Sequence, residues 1–106
     1  GKGEERRDHI FVDDLTKIIV KCIEMKGLGT LNLASGKVYS FKYLARLIIN
    51  LSKKKSKLIK IKRMGPMPHN GYRPFNIQLL KDNFKDIKMT PITLGIKKYL
   101  TELRSK

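Results

Sequence analysis

Two stretches of this chain repeat one spacing. Leu15, Ile18, Ile19, Cys22 and Ile23 fall at i, i+3, i+4, i+7 and i+8, and Phe41, Leu44, Ala45, Ile48 and Ile49 repeat that pattern. Apolar residues so spaced line one face of an α-helix, and the chain must cover that face with another layer. Asp13 or Asp14 is placed to cap the first helix, and Gly27 and Gly29 follow its end, where a left-handed residue suits glycine. Ser40 is a good N-cap for the second helix, which fades near Ser52.

The segments beside these helices have a different character. His9-Ile10-Phe11-Val12 is a short apolar run bounded by charges and reads as a buried strand of parallel type. Thr30 to Ala34 reads as a second strand, followed by a Ser35-Gly36-Lys37 turn. Lys57 to Lys62 alternates Ile59 and Ile61 with Lys60 and Lys62, the pattern of a half-exposed strand. Met64 to Pro74 holds three prolines and two glycines and reads as a loop. Asn76 can cap a short helix from Ile77 to about Phe84. Thr90-Pro91 starts a last helix, Ile92 to about Arg104, with Ile96, Tyr99, Leu100 and Leu103 facing inward. The expected fold is α/β: one small mixed domain over residues 1–106, with short strands and about four helices. A chain of 106 residues has room for one such domain and not for two.

Charge bounds the partners. There are 24 Lys and Arg against 9 Asp and Glu, a net charge of +15. Such a balance raises nucleic acid or another anion as a partner. The cations read as scattered, with the densest run, Lys53-Lys54-Lys55-Ser56-Lys57, between two elements, so most of them are assigned to a solvated basic surface. A stand-alone basic nucleic-acid-binding module is the alternative function. Against it, no helix clusters basic residues with Asn or Gln on one face, and aromatics are few for base stacking. The single Cys22 falls on an apolar stripe and is assigned to the core, which suits a reducing, cytoplasmic setting. No apolar run has the length of a membrane span and no signal peptide is visible, so no membrane partner is expected.

Several chemistries have no residues here. Gly1 and Gly3 follow no strand and lack the third glycine of a dinucleotide fingerprint. No Tyr-x-x-x-Lys pair occurs, and the two histidines stand without a cysteine pair, so neither catalytic residues nor a metal site is expected. What remains is arginine at two junctions. Arg7 lies just before the first apolar run, and Arg73 lies in the proline-rich loop between Tyr72 and Pro74. A guanidinium offers a planar fork of donors matched to phosphate oxygens, and a stiff loop reduces the entropy lost on binding. The neighbouring Asp8 offers Arg7 a structural ion pair instead.

Three landmarks carry a resemblance. "GKGEERRDHIFVDDLTKIIVKCIE" resembles the G-x-G-x-x-x-R-D-[FYH]-[IV]-[HYF]-V-x-D-[LV] segment of extended short-chain dehydrogenase/reductases, the NAD(P)-dependent nucleotide-sugar epimerases and dehydratases. "GTLNLASGKVYSFKYLARLI" is similar to their G-x-Y-N-[IL]-[GA]-[ST]-G segment and the serine-capped helix after it. "NGYRPFNIQLLKDNF" and "TPITLGIKKYL" are similar to their loop arginine and closing helices. The landmarks run in order over essentially the whole chain.

The resemblance implies a C-terminal, substrate-binding part of such an enzyme, without the Rossmann half that carries the NAD fingerprint and the Tyr-x-x-x-Lys pair. It implies no cofactor in this chain and NAD(P) in the full-length enzyme. It implies a nucleotide-sugar substrate, the N-terminal Rossmann domain as partner, and a homodimeric full-length enzyme. Arg7 matches an arginine that reaches the nucleotide or the diphosphate of the sugar nucleotide, Arg73 matches the loop arginine that clamps the diphosphate, and Tyr72 and Asn76 complete the expected substrate-binding set. Asn76 stands where the family usually has aspartate, and His9 replaces the usual aromatic. Asn32 matches a family asparagine and is expected to be structural.

Overall fold

The computed structural model describes residues 1–27 and 29–106. In chain order the elements are β1 (Arg6–Asp8), α1 (Val12–Glu24), β2 (Val38–Ser40), α2 (Phe41–Ser52), β3 (Tyr72–Arg73), α3 (Gln78–Asn83) and α4 (Ile92–Arg104). A short helical turn, Pro68–Gly71, precedes β3. The three strands form one mixed sheet with β1 at its centre, antiparallel to β2 and parallel to β3. The α/β class and the four helices agree with the sequence.

The helices lie where periodicity placed them, and their ends differ in detail. Ser40 caps α2, its hydroxyl accepting the Tyr43 amide at 3.1 Å. Asn76 Oδ1 accepts the Gln78 amide at 2.9 Å at the start of α3. Phe11, not an aspartate, is the N-cap of α1, and Asp13 and Asp14 occupy its first turn, where a carboxylate meets the positive end of the helix dipole. The same helix stops at Glu24, capped by Met25, before Gly27 is reached. Thr90 does not cap α4. Its amide and hydroxyl instead donate to the buried Asp14 carboxylate, at 2.6 and 2.7 Å.

The strands are displaced from their expected positions. The central strand is Arg6–Asp8, and His9 to Phe11 leave the sheet to enter α1. Thr30 to Ala34 and Lys57 to Lys62 make no ladder. Leu31 and Leu33 still pack against the core, whereas Ile59 and Ile61 are 79% and 74% exposed. Alternation sets which side chains share a face. It does not supply the neighbouring backbone that a strand must pair with. β3 forms from residues read as loop, and β2 from Val38 and Tyr39, which belong to no expected element, with the Ser40 cap, because β1 offers them that backbone.

The core is small. Ile18, Leu80 and Phe84 are buried together, with Ile10, Cys22, Leu31, Leu33, Ile77, Ile87 and Met89 packed around them. Gly95 lets α4 approach the Phe11 ring, which an added Cβ would meet at 3.2 Å. On α1 the apolar stripe splits: Ile18 is inside, while Ile19 and Ile23 join Val12 and Val20 on an exposed apolar face. On α4, Ile96 and Leu100 are half-buried and Tyr99 and Leu103 are exposed. The body measures 47 × 39 × 19 Å, and its radius of gyration of 16.4 Å exceeds the ~13 Å of a compact domain this long. It is a thin layer with an apolar helix face left uncovered. Among the described residues, no helix is long and apolar enough to cross a membrane.

Candidate functional site

Strand register brings the two arginines together. Arg7 on β1 pairs with Arg73 on β3 and with Tyr39 on β2. Paired residues of adjacent strands project from the same face, about 4.8 Å apart, so Tyr39, Arg7 and Arg73 form a row across the sheet. Two like charges side by side in a ladder are unfavourable without a counter-ion.

Arg7 is held from one side only. Its Nη2 donates to Glu5 Oε2 at 3.0 Å, and the two side chains are 20% and 13% exposed. Its Nη1 is buried and has no partner. Glu5 is shared, since Arg63 Nη1 also donates to it, and Arg63 Nη2 lies 3.7 Å from Glu4. Asp8 is not the partner of Arg7. Its carboxylate accepts the Ser35 amide and hydroxyl and the Gly36 amide, each at 2.8 Å, and so ties β1 to the turn before β2.

Arg73 is presented by an unusual turn. His69, Asn70 and Gly71 all have positive φ, at 48°, 53° and 73°. Glycine takes this conformation freely, and asparagine and histidine are among the residues that tolerate it. Arg73 Nη1 donates to His69 Nε2 at 3.1 Å, which leaves the imidazole proton on Nδ1. Its guanidinium also lies 5.8 Å from the centre of the Phe75 ring.

The other two expected site residues stand apart from this row. Tyr72 pairs with Arg6 in the register, on the opposite face from Arg7 and Arg73, and the Arg6 guanidinium lies over its ring at 5.7 Å. Asn76 is engaged locally: besides its bond to Gln78, its carbonyl accepts Asn32 Nδ2 at 3.3 Å. Neither bond reaches an arginine, and the second gives Asn32 its structural role. Sequence reasoning missed Glu5, Arg63, Tyr39 and His69. Nothing in charge or spacing singled them out, because their roles arise from the pairing of distant segments.

Two cavities meet at His9, and one of them touches the row at Tyr39. One of about 220 Å³ is lined by His9, Lys37, Tyr39, Tyr43 and Thr93, with the Tyr39 and Tyr43 rings stacked at 5.3 Å and 15°. A larger one of about 360 Å³ lies among Phe11, Val12, Ile48, Ile92 and Ile96, and its lining is almost wholly apolar. His9 borders both. Burial pushes the His9 pKa down from 6.5, with the Asp8 charge opposing in part, and its Nε2 is buried without a partner. Among the described residues, no three His, Cys, Asp or Glu side chains gather as a metal site.

No protein-family model matches the chain, and no curated protein matches it either. One solved structure with a matching fold is the Bordetella bronchiseptica enzyme WbmH in complex with NAD+. The two superpose with a TM-score of 0.76 at 22% identity, over 94% of this chain and 33% of WbmH. The chain thus spans about a third of the length of that enzyme and has the fold of that third.

Proposed function

We propose that this chain is the substrate-holding part of an NAD(P)-dependent nucleotide-sugar epimerase or dehydratase, and that Arg7 and Arg73 clamp the substrate diphosphate. One observation carries the proposal: two arginines paired across adjacent strands, one with a buried guanidinium nitrogen that has no partner. A diphosphate between them relieves their repulsion and fills the empty donor with a charge-assisted bond. Glu5, itself bridged to Arg63, fixes the other arm of Arg7. The left-handed backbone at His69, Asn70 and Gly71 and the His69 ring fix Arg73. Both forks are thereby oriented before the anion arrives, which lowers the entropy lost on binding.

The partner in this reading is a dinucleotide-binding α/β domain. Support comes from the thin body, the uncovered apolar face of α1, and the likeness to part of an enzyme seen with NAD+. Bound NAD(P) would take and return a hydride at a sugar carbon. The residues of this chain do not fit a dinucleotide cradle: Gly3 packs against α2, and a Cβ there would meet the Lys42 backbone nitrogen at 2.9 Å. No step through the dinucleotide is assigned to this chain, whose part is to bind and orient the diphosphate end of the substrate.

Titration calorimetry with inorganic pyrophosphate and a panel of nucleoside-diphosphate sugars tests the clamp. The chain should bind them, and Arg73→Ala should weaken binding by about 10-fold, the value of one charge-assisted contact. Equal affinity of the variant, or no binding by the parent chain, would remove the proposal.

A further inference from the structure

The cations are spread evenly along the chain, but the acids are not, so the net positive charge is greatest where acids are missing. Thirteen of the 24 Lys and Arg, and none of the nine acidic residues, lie between Glu24 and Asp82. The densest part is the segment after α2. Lys53 turns the chain with a left-handed φ of 57°, and residues 54–62 then run without helix or sheet pairing. Lys53, Lys54, Lys55, Lys57, Lys60 and Lys62 are all exposed. Among the described ion pairs, none involves these six lysines.

Large aliphatic side chains stand among them. Ile59, Ile61 and Met64 are 79%, 74% and 98% exposed. Lysines alone would be an ordinary solvated surface, and one exposed isoleucine would mean nothing. Three such side chains within six residues, beside lysines that have no ion-pair partner, combine exposed apolar area with uncompensated positive charge. Ile59 and Ile61 alternate in sequence with Lys60 and Lys62.

We propose that residues 53–64 dock on the surface of an anionic phospholipid bilayer. The lysines meet lipid phosphates, which attract basic clusters of this size. Ile59, Ile61 and Met64 enter the boundary between headgroups and acyl chains, while Lys60 and Lys62 reach back to the headgroups along their aliphatic stems. This is attachment at the interface and needs no membrane-spanning helix, of which there is none among the described residues. The same observations disfavour a nucleic acid. Residues 53–64 contain no asparagine, glutamine or aromatic to read base edges or stack on bases, and their one arginine, Arg63, is paired with Glu5. Exposed aliphatics gain little against a phosphate backbone. The proposal is independent of the diphosphate clamp, because Arg63, the one residue of the segment that the clamp uses, is held by Glu5 and is given no part in docking.

Co-sedimentation with vesicles tests it, comparing phosphatidylcholine alone with the same lipid containing about 40 mol% phosphatidylglycerol, at about 0.1 M salt. The chain should sediment with the anionic vesicles only. Replacing Lys53, Lys54, Lys55 and Lys57 by glutamine should weaken partitioning by at least about 100-fold, since each lysine near an anionic surface is worth several-fold. Ile59→Ser with Ile61→Ser leaves the charge unchanged and should weaken it by about 10-fold. All six side chains are exposed, so far-UV circular dichroism should match the parent. No binding to anionic vesicles overturns the proposal. So does binding that the isoleucine variant retains in full, or a random duplex DNA that binds the chain more tightly than the anionic vesicles do.

Discussion

Replacing Arg7 by lysine separates a ligand-binding arginine from a structural one, because the two roles predict opposite effects. The guanidinium has two arms. Nη2 is committed to Glu5 at 3.0 Å, and Nη1 is buried with no partner. A lysine ammonium can keep the Glu5 contact but cannot supply the second arm. A lost charge-assisted bond to a phosphate oxygen is worth about 1.5–3 kcal/mol, or about 10- to 150-fold in Kd. The same change relieves a buried, unsatisfied donor, which costs a folded protein about 1–3 kcal/mol. That relief is offset by a less well-matched pair with Glu5, so the expected stability is unchanged or up to about 1 kcal/mol higher. Pyrophosphate affinity by titration calorimetry and urea unfolding followed by circular dichroism give the two readouts. A loss of about 2 kcal/mol or more in stability with unchanged affinity would refute the reasoning and make Arg7 a structural residue.

Two further predictions concern the groups that hold the site in place. Asp14→Ala strands the Thr90 amide and hydroxyl and should cost about 3–5 kcal/mol, lowering the melting temperature by about 15 °C or more; a loss below about 1 kcal/mol in urea unfolding would show that water replaces the carboxylate. His9 should make stability pH-dependent. Burial lowers its pKa in the folded state, with Asp8 opposing, so the unfolded chain binds more protons as pH falls below 6.5. Its contribution is fully present above that value and declines below it. His9→Phe, which keeps an aromatic against Phe41, should flatten the stability difference between about pH 7.5 and about pH 5.5; an unchanged slope would assign the effect to other groups.

How much of the molecule was legible divides along one physical line. The helices, the Ser40 cap and the Asn76 turn were readable because each is a contact within a few residues of sequence. The strands were not. Thr30 to Ala34 and Lys57 to Lys62 have strand-like alternation and no partner among the described residues. Tyr72–Arg73, in a loop by composition, becomes a strand because β1 lies beside it. The α1 stripe was correctly read as helical, but periodicity could not say that Ile18 is covered and Ile23 is bare.

The candidate site follows the same division. The sequence by itself determined that Arg7 and Arg73 stand at junctions, that the chain carries no dinucleotide fingerprint, and that its helices have apolar faces to cover. Only the tertiary structure decided that the two arginines are neighbours, that Tyr72 lies on the other face, and that Glu5 rather than Asp8 holds Arg7. It also joined Asp14 to Thr90 across 76 residues of sequence. Helix formation and capping depend on groups a turn apart, so residue order specifies them. Strand register and ion pairing depend on which distant segments meet, and that is settled only when the whole chain buries its apolar surface together.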